Sequence, residues 1–230
     1  MDFSNLKFKA QNFANYRDVA VRFLRKMRID KMSEDNTSRK SLKTELIGQL
    51  EALSFEEAIF PEAEPEIDKI IEQLEQVNPI FQPLSVENQS KMFGDWELIY
   101  ASRGTVVTRK VAKIPDWTGI KIKRVWQNLT AGDTEKINTS NCAQIELPFL
   151  GEWNVKADGV WKWNEDQKTA FVSFNAFTFA LQKPFTLPEL KIPVLEALRN
   201  EAVWITSYLD EEIRIGRGKT GNLFVFRRRD

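Results

Sequence analysis

The strongest constraint on the fold is a change of period at Gly94. The stretch Gly94-Asp95-Trp96-Glu97-Leu98-Ile99-Tyr100 alternates strictly, with Trp96, Leu98 and Tyr100 on one side and Asp95 and Glu97 on the other. That alternation marks a strand half-buried against a core. Before Gly94 the apolar residues recur at helical spacing; after it they recur in short β-type runs.

From about Asn12 to Lys31 the apolar residues Phe13, Tyr16, Ala20, Phe23, Leu24 and Met27 recur at three- and four-residue intervals. Arg22, Arg25 and Lys26 lie on the opposite side. Such a basic amphipathic helix either packs its stripe on the domain, the simpler expectation, or lies in an anionic membrane interface through residues such as Arg22, Phe23, Arg25 and Lys26. Ser33 to Ser38 is polar and reads as a turn. A second helix is expected over Arg39 to Leu53, and a third from Glu66, with Ile67, Ile70, Ile71, Leu74 and Val77 on one stripe. Asn78-Pro79 ends it, because the residue before proline is pushed out of helical geometry. These boundaries predict a basic helical extension over 1–32 and a domain over 33–230, comprising a helical lead-in at 39–78 and a β-barrel at 93–229.

Strands are expected at Ile120 to Leu129, Ile137 to Leu147, Gly151 to Ala157, Val160 to Trp163, Lys168 to Leu181, Val203 to Leu209, Ile213 to Gly216 and Asn222 to Arg228. Asp158-Gly159 reads as a hairpin turn between two of them. A short helix is expected at Val194 to Arg199. With the strand at Gly94 these nine short segments are read as a barrel of about eight strands, wide enough for one small ligand. The fold class expected is mainly β, an antiparallel barrel preceded by helices.

Composition narrows the chemistry. The sequence has no histidine, which excludes histidine-based triads, general bases and metal ligands within it. Its one cysteine, Cys142, cannot form an internal disulfide. The formal net charge is zero, but a basic stretch from Met1 to Lys31 precedes an acidic one from Glu45 to Glu75. A nucleic-acid binder usually carries a basic excess, so no nucleic-acid partner is expected. No apolar run approaches the length of a membrane span. Of the 16 Phe and 7 Trp, all the tryptophans and half the phenylalanines lie in the β part, where they fill a core or line an apolar pocket.

Two motifs mislead. Gly216-Arg217-Gly218-Lys219-Thr220-Gly221 matches a phosphate-loop spacing, but such loops open helices and Asn222 to Phe226 is a strand; a hairpin turn is expected instead. Asp210, Glu211 and Glu212 end a strand, where Asp210 can pair with Arg214 or Arg217. No catalytic residues, metal or cofactor are expected.

The order of blocks from Ser38 to Arg228 resembles the plastid lipid-associated protein/fibrillin family. The resemblance rests on Leu42 to Leu53, Ile70-Ile71-Glu72-Gln73-Leu74-Glu75, Asn78-Pro79, Pro83, Gly94 to Tyr100, Val125 and Gln127, and above all Tyr208 to Gly218 with Gly221 and Leu223-Phe224-Val225. It implies a lipocalin-like barrel in which Gly94 and Trp96 open the first strand, Trp96 plugs one end, and a late arginine, Arg214 or Arg217, stacks over it. It also implies a peripheral protein of the thylakoid membrane or lipid droplets that holds a lipid, quinone or carotenoid. With no transit peptide ahead of the domain, the expectation is a cytoplasmic, cyanobacterial-type member. Candidate lining residues are Trp96, Tyr100, Trp126, Gln127, Trp153, Trp161, Phe174 and Trp204, with Tyr100 and Gln127 as polar anchors. The alternatives are a scaffold docking on a photosynthetic protein partner, or a bilin-handling lyase or chaperone.

Overall fold

In a computed structural model, the structure describes residues 3–61, 64–102, 119–133, 136–194 and 201–229, with side chains from 21 onward. The helix expected at Val194 to Arg199 falls, beyond Val194, outside these residues. Two compact units are present, 1–44 and 45–230.

Helix α1 runs without a break from Phe3 to Glu51. The expected turn at Ser33 to Ser38 is therefore corrected. The segment is polar but holds no proline or glycine, and its side chains bond within the helix: Thr37 Oγ1 donates to the Ser33 carbonyl at 3.0 Å and Arg39 Nη2 to Asn36 Oδ1 at 3.3 Å. Among the described side chains of α1, Val21, Phe23, Leu24, Met27, Ile29 and Met32 are exposed.

Helix α2 (Phe55–Ile59) starts on a capping box. Ser54 Oγ accepts from the Glu57 amide, and the Glu57 carboxylate accepts from the Ser54 amide at 2.7 Å. That bonding holds the Glu57 carboxyl below the usual range. Helix α3 (Pro65–Gln76) has proline in its first turn and acids Glu66 and Asp68 beside it, both suited to a helix N-terminus. Its stripe Ile67, Ile70, Ile71 and Leu74 is buried, as its periodicity predicts.

Among the described residues nine antiparallel strands follow: β1 (Gly94–Ala101), β2 (Lys121–Ala131), β3 (Ile137–Leu147), β4 (Gly151–Trp163), β5 (Thr169–Lys183), β6 (Leu190–Pro193), β7 (Ala202–Leu209), β8 (Ile213–Gly218) and β9 (Leu223–Arg228). Their order is β4-β3-β2-β1-β9-β8-β7-β5-β6, and an additional β4–β5 pairing closes the sheet in a ring. Eight strands make the ring. The ninth, β6, pairs with β5 at Ala176 to Phe179, beyond the Thr169–Val172 segment that pairs with β7.

The hairpin expected at Asp158-Gly159 is corrected: β4 is one strand of 13 residues. Gly159 serves instead at a register shift against β5, where a Cβ would come within 2.4 Å of the Ser173 carbonyl oxygen. A glycine inside a strand often marks such a close backbone approach. The Gly216–Gly221 segment does form a hairpin, closed by the Gly221 amide on the Gly218 carbonyl. Gly216 itself lies within β8, where a Cβ would meet the Trp204 ring at 1.9 Å.

Two cores sit on the two faces of the sheet. Inside one end of the ring, Trp96, Leu98, Leu129, Ile137, Trp161, Val172, Leu209 and Phe226 pack with Ile59, Ile80, Leu84 and Met92, which come from the segment before β1. On the outside, α3 covers part of the sheet. Arg217 of β8 donates Nε to Glu75 Oε1 at 2.7 Å and Nη2 to Oε2 at 2.6 Å. This fork holds Arg217 charged over a wider range than usual. Both side chains keep some solvent contact. A double-mutant cycle on Arg217→Ala and Glu75→Ala is therefore expected to give a coupling of about 1 kcal/mol, and a coupling near zero would remove this fork as a helix–sheet tie.

Candidate functional site

Strand register decides which candidate residues face into the ring. Trp96 is fully buried and pairs with Gln127, so both share the inner face. Trp161 of β4 pairs with Ile137 and Val172 on the same face. Trp204 packs on Trp161, with centroids 5.8 Å apart, and on Phe224 at 5.2 Å. Phe174 lies partly buried against the same cluster. Trp153 is in phase with Trp161 along β4 but toward the other end, half-buried, its Nε1 donating to the Leu150 carbonyl at 2.9 Å.

Two expected lining residues are corrected. Trp126 pairs with Glu97, one position out of phase with Trp96 and Gln127, so it lies on the outer face beneath the Arg124 guanidinium. Tyr100 shares the phase of Trp96 in the sequence, but a register shift between Leu98 and Tyr100 turns it outward. Its hydroxyl donates to Asp68 of α3 at 2.9 Å. Burial, with the Asp68 bond adding to it, raises the phenol well above its ordinary range.

The inner face changes character along the ring. At the plugged end the inward side chains Trp96, Trp161 and Arg214 are fully buried. Toward the opposite end the inward residues Val125, Ala143, Ile145, Val155, Ala157 and Phe179 are only half-buried. Phe177 pairs with Ile192 there, and both are exposed, as is Leu190. Phe149, Leu150, Phe185 and Leu187, at the strand ends of that side, are exposed too.

At the plugged end an arginine crosses the ring. Arg214 of β8 is fully buried, with its guanidinium carbon 4.5 Å from the Phe226 centroid, 5.1 Å from Trp96 and 5.8 Å from Trp161. Its Nη2 donates to Gln127 Oε1 at 2.5 Å, and Gln127 Nε2 donates onward to Asn141 Oδ1 at 2.6 Å. Burial, and secondarily the nearby Arg228 cation, push the guanidinium down to about 9. Of the two arginines weighed for the Trp96 ring, Arg214 lies there and Arg217 does not; Arg217 is on the outer face with Glu75. Asp210 holds the β7–β8 turn, with Oδ1 accepting from the Glu212 and Ile213 amides at 2.8 Å. Its Oδ2 accepts from the Tyr208 hydroxyl at 2.7 Å.

Sequence reasoning missed Arg228, the nearer cation, 4.2 Å from the Trp96 centroid. It pairs with Trp96 and is in phase with Phe226, a signal present in the β9 alternation but masked by the run Arg227-Arg228-Arg229. Its Nε and Nη1 donate to the Glu211 and Phe93 carbonyls.

The fold and this site define an antiparallel β-barrel protein with a helical lead-in, plugged at one end by a tryptophan–arginine cluster and apolar at the other. The PAP_fibrillin family model matches residues 40–227, and the chain belongs to that family. Two Arabidopsis thaliana proteins are similar to it. "Probable plastid-lipid-associated protein 8, chloroplastic" is 28% identical over 180 residues, 74% of this chain and 64% of that protein. "Probable plastid-lipid-associated protein 5, chloroplastic" is 28% identical over 190 residues, 82% of this chain and 70% of that protein. The chain thus spans slightly under two thirds of the first relative's length. Among the described residues no helix is long and apolar enough to cross a membrane.

Proposed function

We propose that the protein is a non-catalytic carrier that holds a small hydrophobic molecule (a lipid, quinone or carotenoid) inside the ring, at the periphery of a thylakoid membrane. One observation carries this reading: inward-facing apolar side chains on β2 to β5 are left half-buried or exposed instead of packed. Covering such surface with an apolar ligand stabilises the complex by about 25 cal/mol for each Å² removed from water. An apolar wall with few polar groups is what a hydrophobic ligand site needs. The relatives' names, which speak of plastid lipid association, support the same class of ligand. The exposed Phe23, Leu24 and Met27 of α1, on a helix that also carries Arg22, Arg25 and Lys26, suit a membrane surface.

Organic extraction of the natively expressed protein, followed by mass spectrometry, tests the carrier role. One stoichiometric hydrophobic compound is the expected result. An empty extract from protein that still co-purifies with a membrane complex would overturn it in favour of a scaffold.

A further inference from the structure

All five buried side-chain polar atoms without a hydrogen-bond partner among the described residues belong to residues grouped inside the ring. They are Nε and Nη1 of Arg214, the indole nitrogens of Trp161 and Trp204, and Thr206 Oγ1. The group is contiguous. The Arg214 guanidinium lies against Trp161, Trp161 packs on Trp204, and Thr206 pairs with Gly216, two residues from Arg214. Nearly every atom in it is a donor, and together Nε and Nη1 of Arg214 carry three unused N–H groups.

Buried donors normally find acceptors, and a buried cation normally finds a countercharge. Here the acceptor from Gln127 is neutral, and the charge that bears on Arg214 most is a second cation, Arg228. A fully desolvated guanidinium with open donors is the complement of a carboxylate, whose two oxygens accept several charge-assisted hydrogen bonds at once. Gln127 links Arg214 to Asn141, which is half-buried, and beyond Asn141 the inner face continues through Ala143, Val155 and Ala157 to the apolar end.

Resting on the ligand-holding reading above, we infer that the ring takes an acidic amphiphile, a long-chain carboxylate, with its head group on Arg214 among the Trp161, Trp204 and Thr206 donors and its chain along the half-buried face of β3 and β4.

The test uses the full chain and a fluorescent long-chain acid, cis-parinaric acid, beside its methyl ester. The acid is expected to bind the wild type at least about 10-fold more tightly than the ester, since a charge-assisted bond is being gained. Arg214→Met keeps the stem over the aromatic rings, and it is expected to bring the two probes within about threefold while ester binding holds. Equal binding of acid and ester by the wild type would overturn the head-group assignment and leave the carrier reading intact. Binding of neither probe would overturn both. An acid preference that survives Arg214→Met would remove Arg214 from the role. Because the wild-type comparison needs no variant, the test stands even if Arg214→Met folds poorly.

Discussion

Replacing Trp96 with alanine is expected to cost about 3–5 kcal/mol of stability, the range for removing a fully buried indole. Trp96 fills the centre of the plugged end, faces the guanidiniums of both Arg214 and Arg228, and donates Nε1 to the Met92 carbonyl at 2.7 Å. Its loss leaves a cavity, an unpaired carbonyl and two cations without their shared aromatic surface. Thermal unfolding should shift down by roughly 6–20 °C for a domain of this size. Trp96→Phe keeps a ring and loses the hydrogen bond, and it should cost about 1–2 kcal/mol. If Trp96→Ala melted within a few degrees of the wild type, the indole would not be holding the plug.

Asn78→Ala should be nearly as damaging, for a different reason. Asn78 is buried and makes four hydrogen bonds to backbone. Its Nδ2 donates to the carbonyls of Ile80 and Ser207, both at 2.9 Å, while Oδ1 accepts from the amides of Ile80 and Leu209. One side chain thus turns the chain after α3 and fixes it to β7. Alanine strands four backbone groups, and about 3 kcal/mol is the expected loss by chemical denaturation. The midpoint should fall with the denaturant dependence unchanged. An unchanged midpoint would mean that water replaces the amide at no cost.

Much of the architecture is legible in the residues. The stripe of α3 gives its buried face directly. Pro148, the turn around Asn164 to Gln167, and Gly218 to Gly221 bound strands where chain-breaking residues should. The same reading failed where it took a polar run for a break: Ser33 to Ser38 lack proline and glycine, and their side chains bond back to the helix. It failed again at Gly159, because a glycine in a strand signals either a turn or a close approach, and only the neighbouring Ser173 carbonyl distinguishes them.

For the site, the residue types were readable and their partners were not. Aromatic alternation names Trp96, Trp161 and Trp204 as large residues on strand faces, and the register then sets all three inward. It names Trp126 and Tyr100 equally well, and these face outward. Nothing local separates Arg214, crossing the ring to Gln127, from Arg217, three residues on and forked on Glu75.

The sequence by itself determined where helix gives way to sheet, that histidine chemistry is excluded, and which family the chain resembles. Only the tertiary structure decided which face of each strand is inside. Alternation defines two faces without saying which is buried, and a single extra residue at a bulge, as between Leu98 and Tyr100, exchanges them. The long-range partners of Asn78, Arg214 and Arg217 depend on ring closure, and so does the gathering of unpartnered donors at one end.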